Sequence, residues 1–286
     1  MSGQSKRCRI LSGLRRGWPL LLLPIMLGIW AFLIEPRWVA EREIHETIAG
    51  WQGPSGLKVA VASDWHLGQH SFKSVMTVAR AQAIVERINA ARPDLILLPG
   101  DFISGHGEHG PSVDEIAQVL GRLHAPLGVY AVLGNHDWWG DGPGLAEAFS
   151  RAGITVLENS AKALPGTDLW LVGIGDDYTG HADPGRALRD LPGSAQALVM
   201  MHDPASLAEL PSISGRIFAG HTHGGQVWLP FIGALVVPGR APRRWAYGWV
   251  EHQGNRLYVT SGLGTSILPL RFNQRPEWVM FTLNAQ

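Results

Sequence analysis

The segment Gly220-His221-Thr222-His223-Gly224-Gly225-Gln226 is the last of five short polar segments that each follow an apolar stretch. The other four are, in chain order, Asp64-Trp65-His66, Gly100-Asp101, Gly134-Asn135-His136-Asp137 and Met201-His202-Asp203. Together they supply imidazoles, carboxylates and one amide, which bind divalent metal ions at neutral pH. We therefore predict that the fold gathers these segments around two metal ions, and that the chain is a hydrolase.

The first half of the sequence alternates between strand and helix patterns. Short apolar, β-branched stretches predict strands over residues 57–62, 95–98 and 129–133. Helical spacing predicts helices over residues 72–91, 111–123 and 144–152. Such alternation is typical of βαβ units, in which helices cover a sheet.

The second half contains short strand patterns and few helices. The predicted strands cover residues 169–174, 197–201, 216–219, 227–229, 246–251, 257–260 and 278–283. Gly254-Asn255 lies between two of them and predicts a hairpin turn. We predict an α/β fold in which this second sheet packs on the first, as a four-layer α/β/β/α sandwich of two mixed sheets flanked by helices.

All five polar segments directly follow a predicted strand. Ligands of open α/β sheets gather beyond the carboxyl ends of the strands, so the segments are expected to converge on one edge. Each motif alone also has an ordinary interpretation, since Gly-Asp is a common turn and a histidine at a strand end is often a loop residue. The strongest motif is Gly-His-Thr-His-Gly-Gly, whose two histidines can serve different metals while its glycines allow close backbone approach.

The ordered set of motifs resembles the signature of the calcineurin-like metallophosphoesterase superfamily, D-x-H, G-D, G-N-H-[DE], H and G-H-x-H. The resemblance covers residues 57–283 and includes every metal-ligand position. It implies one metal held by Asp64, His66 and His223, a second held by Asn135, His202 and His221, and Asp101 bridging both. It also implies that His136 faces the substrate phosphate as a catalytic residue that stabilises charge or protonates the leaving oxygen, with Asp137 orienting it.

Two such metals would share a water, lower its pKa, and direct the resulting bridging hydroxide at the phosphorus in line with the leaving group. Mixed His, Asp and Asn ligation without sulfur suits Mn, Fe or Zn, and the sequence does not choose among them. Arg271 and Trp138 are predicted substrate contacts. A guanidinium matches phosphate bidentately and an indole can stack on a base or sugar, although salt bridging and packing are the alternatives.

The N-terminal region predicts a membrane anchor. Residues 1–17 form a basic tail without acidic residues, and residues 18–34 are uncharged and rich in leucine. We predict a single transmembrane helix or uncleaved signal at 18–34, a juxtamembrane linker at 35–55 and a catalytic domain at 56–286. The basic excess before the apolar stretch favours a cytoplasmic N-terminus, with the catalytic domain on the non-cytoplasmic side of a bacterial inner membrane.

Composition excludes several other classes of protein. The formal net charge is zero and the pI is about 7.2, so no general basic field for nucleic acid exists. Cys8 is the only cysteine, which excludes a disulfide framework and a thiolate metal site. The sequence leaves the oligomeric state open.

The extended closing motif and the run Ser261-Gly262-Leu263-Gly264 more narrowly resemble bacterial membrane-associated phosphodiesterases of the YkuE and YaeI type. They also resemble a branch that hydrolyses UDP-2,3-diacylglucosamine. The resemblance implies a phosphoesterase that cleaves a phosphodiester or pyrophosphate of a lipid or cell-envelope substrate. The alternatives are a UDP-2,3-diacylglucosamine pyrophosphatase of lipid A synthesis and a non-catalytic, membrane-tethered metal-binding module.

Overall fold

The computed structural model describes residues 22–68, 75–104 and 110–286. A first six-stranded sheet is formed by β1 (Ala40–Ile48), β2 (Leu57–Val61), β3 (Leu95–Pro99), β4 (Val129–Val132), β5 (Ile154–Val156) and β14 (Glu277–Ala285). Its spatial order is β1-β14-β2-β3-β4-β5. Only the pairing of β14 with β2 is antiparallel, so the sheet is mixed.

A second six-stranded sheet is formed by β6 (Ser160–Ala163), β7 (Leu169–Ile174), β8 (Gln196–Met201), β9 (Gly215–Ala219), β12 (Gly248–His252) and β13 (Asn255–Val259). Its order is β12-β13-β9-β8-β7-β6, with antiparallel pairs at both edges and parallel pairs in the centre. The short strands β10 (Trp228–Leu229) and β11 (Gly233–Ala234) form a separate hairpin.

The described helices are α1 (22–29), α2 (Val78–Ala90), α3 (Val113–Leu120), α4 (Asn135–Trp139), α5 (Gly142–Arg151) and α6 (Pro184–Ala187). Short 3₁₀ turns lie at Pro204–Glu209, His223–Gly225 and Arg243–Trp245. The start of α3 illustrates the local chemistry. Ser112 and Glu115 form a capping box there, so two backbone N–H groups that the helix cannot satisfy find partners.

Three apolar cores hold these layers together. The central core lies between the two sheets, where Phe218 of β9 packs against Phe281 of β14. A second core joins the first sheet to α2, α3 and α5. A third core covers the outer face of the second sheet with α6 and the 3₁₀ turns that contribute Leu207 and Trp245. The predicted α/β class with two mixed sheets is confirmed, and the outer layer on the second sheet consists of short turns.

The predicted linker at 35–55 differs from the structure, because it contains β1. This strand pairs in parallel with β14 at the edge of the first sheet. Its sequence is mostly charged and polar, as is common for edge strands, so no apolar alternation indicated a strand. Glu46 of β1 also pairs with Arg216 at 2.6 Å. Residues 40–48 therefore belong to the first sheet.

The N-terminal predictions fall partly outside the described residues, since the basic tail at 1–17 and residues 18–21 are not described. Helix α1 continues through a π-helical turn at Trp30–Ile34 and ends with a 3₁₀ turn at Glu35–Arg37. The apolar side chains of this segment are largely exposed. Within residues 22–68, 75–104 and 110–286, we find no helix with the length and apolar character needed to cross a bilayer.

Candidate metal centre

The five polar segments leave the carboxyl ends of β2, β3, β4, β8 and β9 and meet at one rim of the sandwich. Backbone hydrogen bonds join them directly. Asp64 N–H donates to Gly100 O at 2.9 Å, and Gly220 N–H donates to His202 O at 3.0 Å. Because the strands end side by side, the loops that follow them share one edge, as the sheet topology predicts.

The side chains form two adjoining groups. Within each group, the potential ligand atoms lie within 4.8 Å of one another. The first group contains Asp64, His66, Asp101 and His223, and the second contains Asp101, His202 and His221. Asn135 adds an amide oxygen to the second group, 2.9 Å from His221 Nδ1 and 3.2 Å from His202 Nε2. Asp101 belongs to both groups, which is the arrangement that a bridging carboxylate requires.

The donor atoms fit divalent cations. His66 Nε2 and His223 Nε2 lie 3.0 Å apart, and His202 Nε2 and His221 Nδ1 lie 3.2 Å apart. Pro99 O lies 2.8 Å from His202 Nδ1 and can accept a hydrogen bond from it. This bond leaves the Nε2 lone pair of His202 directed at the second group. Asp64 Oδ2 is buried and has no hydrogen-bond partner among the described residues. Convergent lone pairs and an unsatisfied buried carboxylate oxygen are what a bound cation would satisfy.

Burial sets the charge states of these groups. It lowers the pKa of His66 and of His221 to about 3, so both rings are neutral and able to ligate. Burial acts to raise the pKa of Asp101, but His202 and the other histidines outweigh it and hold that pKa well below the ordinary value. The same carboxylate raises the pKa of His202 well above its ordinary value against the effect of burial, so a proton and a cation compete for His202 Nε2.

Backbone strain is concentrated in the same residues. Five non-glycine members of the two groups adopt left-handed conformations: Asp64 (φ 54°), His66 (φ 43°), Asp101 (φ 58°), His221 (φ 68°) and His223 (φ 52°). Each such residue costs ~1–2 kcal/mol relative to an ordinary conformation. The strain turns the chain sharply after the strands, so that side chains two positions apart can face the same centre.

Asp137, predicted to orient His136, contacts the loop that carries Asp101. Its carboxylate accepts hydrogen bonds from the backbone N–H groups of Asp101, Phe102, Ile103 and Gly134, at 2.8 to 3.0 Å. Burial and the charge of Asp101 raise its pKa to about 7, while these donors act in the opposite direction. Asp137 therefore positions the loop that carries Asp101.

Replacing Asp137 by asparagine is expected to lower the free energy of unfolding by ~3 kcal/mol or more, because one oxygen that accepts two N–H bonds becomes a donor facing them. Thermal denaturation should show a Tm lower by several degrees. Asp141→Asn is the matched control, since Asp141 caps α5 at the surface and asparagine caps equally well. Equal Tm values for the two variants would contradict the positioning role.

His136 lies at the solvent side of the first group. It is partly exposed, its backbone N–H donates to Asp101 Oδ1 at 2.9 Å, and its ring meets that of His66 edge-on at 4.6 Å. Its Nε2 lies 3.4 Å from Ser266 Oγ. The ring thus borders both the metal-ligand groups and the space open to a substrate.

Trp138, a predicted substrate contact, packs within the protein. Its ring stacks on His181 at 3.7 Å and packs against the core between the first sheet and its helices. Trp139 lies instead beside His136, with ring centroids 5.0 Å apart, and its side chain is 40% exposed. Tyr178, 48% exposed, lies 5.3 Å from the His221 ring and 5.6 Å from Trp139. Nothing in the local sequence indicated Tyr178.

Arg271 also differs from the expectation of a substrate contact. Its side chain is fully buried, and its guanidinium donates to the carbonyl oxygens of Ser261, Gly262, Gly264, Gln274 and His223. These bonds use its donors within the protein. Arg271 therefore stabilises the loop after β13 and, through a hydrogen bond, the backbone of His223.

Asp203 is a further residue of the site that the sequence did not single out. Its Oδ2 is buried 3.7 Å from His221 Nε2, on the opposite side of the ring from the second group. A Cβ at Gly239 would lie 2.8 Å from this oxygen, so only glycine leaves room for the pair. Neither Asp203 Oδ2 nor His221 Nε2 has a hydrogen-bond partner among the described residues, and a carboxylate on this side of the ring favours the tautomer with the proton on Nε2.

Comparisons with known proteins agree with this geometry. The family model described as calcineurin-like phosphoesterase matches residues 57–225. Phosphodiesterase YaeI of Escherichia coli is 31% identical over 87% of this chain and 90% of its own length. Metallophosphoesterase YkuE of Bacillus subtilis is 29% identical over 90% of this chain and 89% of its own. UDP-2,3-diacylglucosamine pyrophosphatase LpxG of Chlamydia trachomatis is 25% identical over 90% and 93%.

The chain belongs to the calcineurin-like phosphoesterase family, because the family model covers more than half of it. The predicted enzyme class, a hydrolase acting on phosphoric ester bonds, is confirmed with it. Solved structures that align with the chain are longer proteins, and it spans about half of their length.

Proposed function

We propose that this protein is a phosphodiesterase that uses two divalent metal ions to hydrolyse a phosphodiester or pyrophosphate. The observation that carries the proposal is Asp101, the one described residue shared by both ligand groups, with His136 at their open side. Asp64, His66 and His223 would hold the first ion, and Asn135, His202 and His221 the second. Ligands of this kind suit Mn, Fe or Zn.

When bound, the two ions would activate a water molecule and draw charge from the phosphoryl oxygens. The residues of the chain then have separate tasks. His136 donates a proton from its ring to the leaving oxygen, and Asp137 holds the Asp101 loop in place through four backbone N–H groups. Trp139 and Tyr178 border the opening beside His136 and His221, where they can pack on the group that departs.

The proposed substrate is a lipid or cell-envelope phosphoester. The exposed apolar side chains of α1 and the predicted anchor at 18–34 support a position at a bacterial inner membrane, with the domain on the non-cytoplasmic side. A second candidate, cleavage of UDP-2,3-diacylglucosamine, is favoured by the similarity to the Chlamydia pyrophosphatase of that name. A non-catalytic metal module is disfavoured, because a structural site has no use for a histidine at the position of His136.

The proposal is tested with the full-length protein in detergent. Hydrolysis of bis(4-nitrophenyl) phosphate is expected only after loading with Mn²⁺, Fe²⁺ or Zn²⁺, and a chelator should abolish it. A panel of UDP-2,3-diacylglucosamine, phospholipids and cyclic nucleotides then ranks the natural substrate classes by kcat/KM. Turnover that is unaffected by metal removal, or no turnover of any ester by the loaded protein, would reject the proposed function.

A further inference from the structure

We infer that an apolar groove beside the metal centre binds an acyl or alkyl chain of the phosphoester substrate, an inference that rests on the proposed function. The groove has a volume of about 330 Å³, within the range of small-molecule pockets. Its apolar walls come from the segment after the β10–β11 hairpin and from the loop after β13, with the side chains of Leu235, Val236, Pro238, Ile267, Leu268 and Leu270.

The inner end of the groove touches the metal centre. His223 lines the groove and is also a member of the first ligand group. Ser266 lines it too, and its Oγ lies 3.4 Å from His136 Nε2. A phosphoester held at the metal centre therefore has one substituent at the entrance of the groove, so the groove occupant is part of the substrate itself.

The side-chain amide of Gln226, at the base of the groove, is already hydrogen-bonded within the protein. Gln226 accepts from Ser266 N–H at 2.7 Å and donates to Leu268 O at 3.3 Å, which ties the loop after β13 to the base of the groove. Gly225 (φ 74°) permits the close approach of Ala234, because a Cβ at residue 225 would lie 2.5 Å from the Cβ of Ala234. A peptide backbone placed in the groove would leave its polar groups unsatisfied, whereas an alkyl chain has none to satisfy.

The rim of the groove presents apolar side chains to solvent. Ile267 is 98% exposed and Val236 72% exposed. Ile267 also has a left-handed backbone (φ 63°), which is costly for a β-branched residue and points to a functional reason for holding it there. Phe231, at the hairpin turn, is likewise fully exposed and left-handed (φ 66°). Exposed apolar surface of this kind marks a binding site or a lipid contact.

The segment that follows α1 contacts the residues directly after the groove loop. Arg271 N–H, directly after the groove loop, donates to Ala31 O at 2.9 Å. Gln274 N–H donates to the side chain of Glu35 at 2.6 Å. The loop that forms one wall of the groove therefore continues into residues that bind the end of the segment predicted to enter the membrane.

The inference is tested with a series of alkyl 4-nitrophenyl phosphates, hydrolysed by the metal-loaded, full-length protein. Only the alkyl group changes, from ethyl through butyl to octyl, and 4-nitrophenol is released in every case. Because one fully buried methylene is worth ~0.8 kcal/mol, or about fourfold, kcat/KM for the octyl ester should exceed that for the ethyl ester by at least about tenfold. Equal values for the ethyl and octyl esters would overturn the inference and leave the proposed function intact.

A double variant, Ile267→Asn with Val236→Thr, makes the rim polar with little change of shape, and asparagine tolerates the left-handed backbone. The octyl-to-ethyl ratio of kcat/KM should fall to within about twofold of one. Gln253→Asn is the matched control, since Gln253 is also left-handed and exposed but lies in the β12–β13 turn. A ratio that the double variant leaves unchanged would contradict the assignment.

Direct binding separates this inference from the proposed function. Calorimetric titration of the metal-loaded protein with octyl phosphate and with ethyl phosphate should give a Kd at least about tenfold lower for the octyl compound. If no ester is hydrolysed, the proposed function fails, and this ratio alone decides whether the groove binds an alkyl chain. A ratio near one would reject the groove as a chain subsite.

Discussion

Asp101→Asn is expected to reduce metal-dependent hydrolysis of bis(4-nitrophenyl) phosphate by at least ~10³-fold. Among the described residues, only Asp101 belongs to both ligand groups, so its charge serves two cations at once. Asparagine keeps one oxygen but loses the charge and the second acceptor. In the wild-type protein the Asp101 carboxylate also accepts a hydrogen bond from the backbone N–H of His136. Asparagine keeps this bond only if its single side-chain oxygen faces that N–H.

The loss should appear in metal content as well as in rate. Elemental analysis of the wild-type protein after reconstitution should find about two transition ions per chain, and the variant should bind fewer. Asp141→Asn serves as the control for the same chemical change at an exposed helix cap. If Asp101→Asn retained full activity and full metal content, neither the shared carboxylate nor the two-metal proposal would stand.

His136→Asn is expected to lower kcat by ~10²–10⁴-fold for a dialkyl phosphate, whose alkoxide leaving group needs a proton. The same variant should lose far less activity towards a 4-nitrophenyl ester, because the nitrophenolate leaves readily without one. The structure supports a proton donor at this position, since the ring is partly exposed and borders the ligand groups without belonging to either.

Two observations decide between proton donation and a merely structural role for His136. Metal content should be unchanged in the variant, because His136 is not among the grouped ligand atoms. His124→Asn controls for removal of an exposed histidine elsewhere. An equal loss for both leaving groups would show that His136 stabilises charge or positions the substrate and does not protonate the leaving oxygen.

Much of the fold follows from local pattern. The apolar runs that became β3, β4 and β8 are buried throughout, and those of β2 and β9 for most of their length, so their hydrophobicity is nearly continuous and their ends are marked by the polar segments. The edge strand β1 gave no such signal, because most of its charged side chains face solvent. The hydrophobic periodicity of a sequence reflects which side chains are buried. An edge strand such as β1 buries few side chains and therefore shows little periodicity.

The expectations for Trp138, Asp137 and Arg271 show a second limit. The motifs and the family resemblance predicted an indole, a carboxylate and a guanidinium near the site, and all three lie there. The partners of these side chains depend on where the chain turns. Trp138 and Trp139 are adjacent in sequence, yet the first stacks on His181 and the second lies beside His136. The guanidinium of Arg271 donates its hydrogen bonds to carbonyl oxygens of its own loop.

By itself the sequence determined the α/β class and the five segments that meet at one rim, because residue type and strand order are local properties and parallel strands end on the same side. Tertiary structure alone decided that Asp137 clamps the Asp101 loop and that an apolar groove opens beside His223. It also gave the distances that put Asp101 in both ligand groups, as the family resemblance had implied. These features depend on distances between segments far apart in the chain, which packing sets and local sequence does not encode.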